Sequence, residues 1–545
     1  MSDETSPLLD PRKKTQDNGT FPQQNGLPVE EIIDQEPSED VPTKSQKSLL
    51  AVVIPMALGI FLVAMDSTIV VASYASIGNE LNQLSKTSWI ATGYMLTLTS
   101  FQPLYGKLSD IFGRKACLLV AYCIFGLGSL FCGLSKTMDQ LILSRALAGI
   151  VGGGMSTVVS IIMSDIVPLR SRGTWQGIIN IVFATGSSIG APLGGFLADT
   201  IGWRWAFLIQ CPAILLAILS VSLALHLPPT DSSDFKTKIK RVDFVGAATL
   251  VCCVFLFLFG LERGGNVSWS DTATIGTLAG SAALFILFGY IEMEWAKEPF
   301  APKRIIVNRS LIASYLVNFF GVASALSMLF HVSLYFQAVG GMSPSKAGLL
   351  LVPSVFGGVT GSLVGGLLIQ ATGKYYWLTV LGYWLLVVGS STITLFSGII
   401  AHAVPAIAVG LVLSGLGNVG GGITTSLIAL ISNAGQVDQA IATAVSYLFR
   451  SLGSVVGLAV GSAILQDVLR VILQRTLTGR DVNEIVRHVK ESLDYLDELD
   501  SETRSIVLSA YEEAIRMSMI FSLCMALCAA FASFFIKEKE LTRRG

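Results

Sequence analysis

Apolar stretches of about 20 residues recur along the chain from Leu49 to Ile536, and each is long enough, at ~1.5 Å per residue, to cross a ~30 Å hydrocarbon core as a helix. A segment in lipid must satisfy its own backbone hydrogen bonds, so the expected class is an all-α integral membrane bundle. Of the 545 residues, 52% are hydrophobic and 14% charged, against roughly 25% charged in soluble domains. Fourteen spans are expected, starting near residues 49, 87, 116, 139, 174, 204, 243, 273, 311, 347, 376, 402, 440 and 513.

An even number of spans puts both termini on one side, and lysine and arginine accumulate in cytoplasmic loops. Arg114 and Lys115, then Arg170 and Arg172, then Lys236, Lys238, Lys240 and Arg241, then Lys297, Lys303, Arg304 and Arg309 follow even-numbered spans. Short loops after odd-numbered spans carry single charges: Lys86, Lys136, Arg204, Arg263 and Lys346. Both termini are therefore expected in the cytosol. The segment from about 467 to 511, rich in both signs, becomes a long loop on the opposite side; long loops escape the charge rule.

The net charge of -1 hides an uneven distribution. Residues 1–48 hold ten acidic and five basic residues, six prolines and no long apolar run, the composition of a disordered tail. It lacks the apolar core of a signal peptide. Within it Glu4 precedes the pair Leu8 and Leu9 in "ETSPLLD", which resembles the acidic dileucine signal read by clathrin adaptors in sorting to lysosomes or vacuoles. The eight cysteines fall within expected spans without a Cys-x-x-Cys pattern, which suits small packing residues and gives no redox or zinc function.

The loop after span 2 reads "GKLSDIFGRK", with Gly106, Asp110, Gly113 and Arg114 followed by Lys115. The loop after span 10, "GLLIQATGK", places Gly366, Gln370, Gly373 and Lys374 at the same spacing, 260 residues later. Spans 1–6 (residues 49–227) and 9–14 (311–536) then form equivalent six-helix halves, with spans 7 and 8 (242–294) inserted and residues 537–545 as a cytosolic tail. Repeated halves of this kind build alternating-access transporters, with the site where they meet at mid-membrane.

"GKLSDIFGRK" resembles motif A of the major facilitator superfamily, and further segments resemble the same family. "RALAGIVGGG" (145–154) is similar to motif B, "GSSIGAPLGG" (186–195) to the antiporter motif C, and "AMDSTIVVAS" to the span-1 signature of its fourteen-span drug:proton antiporters. The match covers spans 1–5, and the degenerate second motif A extends it to the other half. Within that group the chain resembles the fungal vacuolar basic amino acid transporters, whose neighbouring branches export drugs or siderophores. The resemblance implies a major facilitator fold, proton antiport accompanying the span-5 motif, and a proton-transfer role for Arg145.

The residues themselves say less. Gly106 and Gly113 permit a sharp turn and close helix approach. Asp110 and Arg114, four apart, pair if that stretch is helical, and Asp110 is also able to face the positive N-terminus of a helix in the opposite half; either contact holds a gate closed. Gly186, Gly190 and Gly194 share one helix face beside Gly195, which allows close packing, and Pro192 permits a kink. Arg145 faces the bundle interior or snorkels to the interface. Arg450 neutralises a carboxylate, lines the cavity or serves an interhelix role. Asn180, Asn318, Asn418, Tyr94, Gln102 and Tyr335 are candidate cavity residues or ordinary interhelix hydrogen bonders. Asn266, in "NVS", lies in a short loop expected too close to the membrane for glycosylation.

Asp66 stands apart, as an acidic residue well inside a span with no basic residue nearby in sequence. An aspartate at mid-helix costs about 2.5 to 3.5 kcal/mol on an insertion scale. Desolvation penalises the charged form, so a carboxylate in such a place takes up a proton more readily than one in water. Protonated it is neutral; ionised it attracts a cation. That is the chemistry of exchange, and its bland counterpart is a structural carboxylate hydrogen-bonded across helices. No P-loop is present to use ATP, and nothing resembles a metal site or a hydrolase triad. The expected function is proton-coupled antiport of basic amino acids into the vacuole, with Asp66, Arg145 and Arg450 at the site. The alternatives are a plasma-membrane exporter of drugs or toxic compounds, and a nutrient receptor that keeps a transporter fold.

Overall fold

The computed structural model describes residues 46–70, 73–81, 83, 87–227, 234–266, 269–295, 303–342, 344–476, 499–539 and 541. The tail that carries Glu4, Leu8 and Leu9 lies outside them. Among the described residues the architecture is helical, apart from an isolated bridge between Ser397 and His402, and thirteen helices are long and apolar enough to cross a membrane.

The segment expected as span 2 differs from the rest. It is built as two helices, Ser88–Phe101 and Leu104–Phe112, of 14 and 9 residues. The break falls at Pro103, whose missing N–H and bulky ring interrupt the i→i−4 ladder; Gln102 N–H still reaches Leu98 O at 3.0 Å. A second interruption lies at Gly435, whose φ of 76° divides the Thr424–Thr476 helix. Only glycine takes such a conformation without a Cβ penalty. The stretch Leu416–Ile423 just upstream is π-helical.

The loop expected over 467–511 is helical at both described ends. One helix continues to Thr476 and the next begins at Ser501, capped by Asp500, whose side chain accepts from Thr503 N–H. Leu469, Leu473, Val507, Ala510 and Tyr511 are buried in one apolar cluster. Burial of one helical stripe therefore overrides the high charge of the segment. All eight cysteines are free thiols on helices.

One apolar core is built entirely from residues between Val52 and Leu225. Others gather the Arg309–Ala338 helix with later ones: Met328, Ile393, Leu469 and Met519 in one, and Val317, Tyr383, Ile428 and Ala529 in another. Leu250, Val254 and Leu258 of the Phe244–Asn266 helix pack with Leu96, Leu104 and Leu448. That helix lies along the seam where the broken second span meets the helix beyond Gly435.

Candidate functional site

Asp66, three residues from the end of the Gln46–Ile69 helix, has 0% exposure. Burying an ion without a partner is prohibitive, and the partner comes from another helix. Arg145, on Met138–Ile166 and 2% exposed, places Nη1 2.6 Å from Asp66 Oδ2. Gln210 Nε2, from the Gln210–Ala224 helix, donates to Asp66 Oδ1 at 3.1 Å. The Arg145 guanidinium also lies over the Tyr94 ring, 4.1 Å from its centroid, with Phe207 5.7 Å away. A cation over an aromatic face is attracted by the ring quadrupole. Arg145 is therefore not snorkelling, and the aspartate is not lone.

Arg145 Nε, Gln210 Oε1 and Tyr94 Oη are buried without hydrogen-bond partners. Buried polar groups are normally hydrogen-bonded, so these three are exceptions. Gln210 was not among the expected cavity residues. Its signal was a polar side chain inside the apolar run "FLIQCPAILL".

The span-5 motif packs directly on the helix that carries Asp66. A Cβ at Gly186 would lie 2.6 Å from Phe61 O, and one at Gly190 or Gly194 would overlap Met65 O or Ile69 O. Thr68 Oγ1 donates to Ser187 O at 2.9 Å. The same arrangement recurs in the other half, where Gly453, Gly457 and Gly461 leave no room for a Cβ against Phe319, Ala323 and Ser327. The four-residue glycine spacing in "RSLGSVVGLAVGSA" was the signal for this second ladder. Pro192 is exposed and Gly195 half-buried, so neither faces this contact.

The motif loops meet the opposite half at one end of the bundle. Gly113 has φ 93° and starts the Arg114–Leu134 helix. Arg114 pairs with Asp110 and with Asp165, the latter at 3.0 Å, and Lys115 Nζ donates to Ser222 O at 2.7 Å. The recorded ion pair of Asp110 thus stays within its own half. It is Asp165 that accepts across the seam, from Gln439 Nε2. Arg170 donates to Gln370 O at 2.5 Å and Ala371 O at 2.6 Å, and Thr174 Oγ1 donates to Gln370 Oε1 at 2.8 Å. A guanidinium on terminal helix carbonyls satisfies orphan acceptors and complements the helix dipole. A Cβ at Gly106 would lie 2.9 Å from Ala440 O, and one at Gly173 3.0 Å from Gly366 Cα. The two repeated loops therefore make equivalent close contacts with the opposite half.

Deeper in the bundle, Asn180 Nδ2 donates to Ser362 Oγ at 2.8 Å, and Ser451 Oγ donates to Gln102 Oε1 at 2.8 Å, both across the seam. Tyr335 Oη meets His402 Nδ1 at 2.7 Å within its own half. Arg450 is not brought to Asp66. Its Nε donates to Asn318 Oδ1 at 2.8 Å, and its guanidinium sits 4.8 Å from the Tyr447 ring centroid. Among the described residues no group of His, Cys, Asp and Glu is arranged to hold a metal.

The family model described as Major Facilitator Superfamily matches residues 56–458. The "Vacuolar membrane amino acid uptake transporter fnx2" of Schizosaccharomyces pombe is 41% identical over 500 residues, covering 92% of this chain and 86% of that protein. The "Multidrug resistance protein fnx1" of the same organism is 35% identical over 484 residues, covering 88% and 91%. The "Vacuolar basic amino acid transporter 2" of Saccharomyces cerevisiae is 34% identical over 472 residues, covering 82% and 97%. Among solved structures, the proton:xylose symporter XylE superposes with a TM-score of 0.59 at 12% identity, over 91% of this chain and 97% of that one.

Proposed function

The chain belongs to the major facilitator superfamily, and on that premise we propose that it is a proton-coupled antiporter moving basic amino acids (lysine, arginine and histidine) from the cytosol into the vacuole, with both termini cytosolic. The observation that carries this reading is the buried Asp66, held by Arg145 and Gln210 from two other helices.

One carboxylate is unable to hold a proton and a cation together, so the two ligands exclude each other at Asp66. A proton entering from an acidic lumen neutralises Asp66 and loosens its hold on a bound ammonium or guanidinium. After the proton departs, the ionised carboxylate is ready for the next cation, and Arg145 occupies it in between. Each pH unit supplies ~1.4 kcal/mol, and each charge moved supplies ~2.3 kcal/mol per 100 mV. With the motif loops in the cytosol, the contacts of Asp165, Arg170 and Gly106 make the conformer described one that is closed to the cytosol. Alternating access then requires those contacts to part while the glycine ladders stay packed.

The names of two relatives support the substrate class and the membrane, and the acidic dileucine Glu4, Leu8 and Leu9 supports sorting there through a clathrin adaptor. The multidrug relative favours a second reading, proton-driven export of toxic compounds at the plasma membrane. Uptake of labelled lysine, arginine and histidine into sealed vacuolar vesicles separates them. The first reading expects accumulation that collapses with an uncoupler and with Asp66→Asn. Undiminished uptake in either case overturns the coupling, and no uptake of any of the three overturns the substrate class.

A further inference from the structure

Arg450 is a cation at membrane depth with neutral company. Arg145 and Arg114 each meet a carboxylate, whereas Arg450 meets the Asn318 amide and the Tyr447 ring, and its Nη2 is buried with no partner. An intramembrane guanidinium is stabilised by an anion, by backbone carbonyls or by a water-filled cavity. Here its fork is half used.

A second feature converges on the same place. Asn418 lies in the π-helical stretch Leu416–Ile423, and its Oδ1 is buried without a partner. π-Turns concentrate at functional sites. That Oδ1 lies 3.0 Å from where a Cβ at Gly321 would stand, one turn along the helix from Asn318. Arg450 and Asn418 thus approach one stretch of the Arg309–Ala338 helix, the first with a spare donor and the second with a spare acceptor. Ser451, next to Arg450, bonds to Gln102 of the opposite half, so the helix that carries Arg450 adjoins the seam at this level.

We propose that Arg450 and Asn418 form the subsite for the backbone end of the transported amino acid. The Arg450 fork receives the α-carboxylate, whose planar geometry it matches. Asn418 Oδ1 accepts from the α-ammonium, and Asn318 holds the guanidinium in register. This rests on the amino acid reading above.

The test uses purified full-length protein in sealed proteoliposomes and compares lysine with cadaverine, which has the same chain and terminal ammonium but no carboxylate. Wild type is expected to bind lysine at least tenfold more tightly than cadaverine. Arg450→Gln is expected to weaken lysine to the level of cadaverine while leaving cadaverine unchanged, and Asn318→Ala to lower the same ratio. Equal weakening of both compounds, or an unchanged ratio in Arg450→Gln, overturns the subsite. So does a wild type that drives both compounds equally well with a pH gradient, a result that needs no variant and leaves proton-coupled cation transport standing. A wild type that accumulates neither compound overturns the transport reading, and the subsite with it.

Discussion

Arg145 Nη1 and Asp66 Oδ2 lie 2.6 Å apart although 79 positions separate them in the chain. Both side chains are almost wholly withdrawn from solvent, at 2% and 0% exposure. Removing one member of such a pair leaves an uncompensated buried charge, which costs more than the pair is worth intact. Arg145→Gln is therefore expected to destabilise the protein by about 3 to 5 kcal/mol. The double variant Asp66→Asn with Arg145→Gln recovers most of that loss yet transports nothing against a gradient. Thermal unfolding in detergent, set beside uptake, checks both halves of the statement.

The ladder of Gly186, Gly190 and Gly194 makes a steric prediction. Gly190→Ala drives a methyl into Met65 O and Thr68 Oγ1, which flank Asp66 within one helical turn, whereas a methyl at Gly276 meets nothing within 4 Å. Overpacking of this kind costs about 1 to 3 kcal/mol. Gly190→Ala is expected to lower both the melting temperature and the uptake rate, and Gly276→Ala neither.

At the loop end, Arg170 spans the seam with bonds of 2.5 and 2.6 Å to Gln370 O and Ala371 O. Two exposed bonds of about 0.5 to 1 kcal/mol each bias the closed state by roughly 5- to 30-fold in its equilibrium constant. In Arg170→Ala, a cysteine placed at the buried Ala440 should react several times faster with a membrane-impermeant thiol reagent. An unchanged rate would mean that the seam is held elsewhere.

Glu80 offers a pH prediction outside the membrane spans. Its carboxylate accepts from Arg204 Nη1 at 2.5 Å and Trp203 Nε1 at 2.8 Å. The Arg204 hydrogen bond, its largest cause, holds it below its usual 4.5. A carboxylate whose pKa is depressed on folding contributes stability above its unfolded value and loses it as pH falls through the folded one. This latch is therefore expected to survive mild acidity, and the stability difference between wild type and Glu80→Gln to fade only below about pH 4.5. Melting curves from pH 7 to pH 3 measure it.

Sorting makes its own prediction. Replacing Leu8 and Leu9 with alanine is expected to move a fluorescently tagged protein from the vacuolar membrane to the cell surface, without changing uptake in isolated vesicles. Unchanged residence at the vacuole would show the pair to be unused.

What could be read from the sequence follows from what is local. Span positions, the repeated glycines and the isolation of Asp66 in an apolar run are all properties of short windows. The identity of its partners is not, because Arg145 and Gln210 reach it from helices 79 and 144 positions away. The break at Pro103 was visible as a residue, yet whether a proline kinks a span or divides it depends on what packs beside the freed carbonyl. The segment from 467 to 511 reads as a loop by its charge. Only the apolar stripe formed with Leu469 and Val507 makes its described ends helical. Gly453, Gly457 and Gly461 are as regular as their counterparts in span 5, but spacing alone does not say which helix a face of small residues packs against.

The interruptions at Pro103 and Gly435 stand beside the contact between Gly106 and Ala440. Helical hydrogen bonding is thus interrupted beside both partners in that contact. Rocking of one half on the other is expected to bend the chain at these interruptions and to leave the laddered pairs, with the carboxylate they carry, stiff.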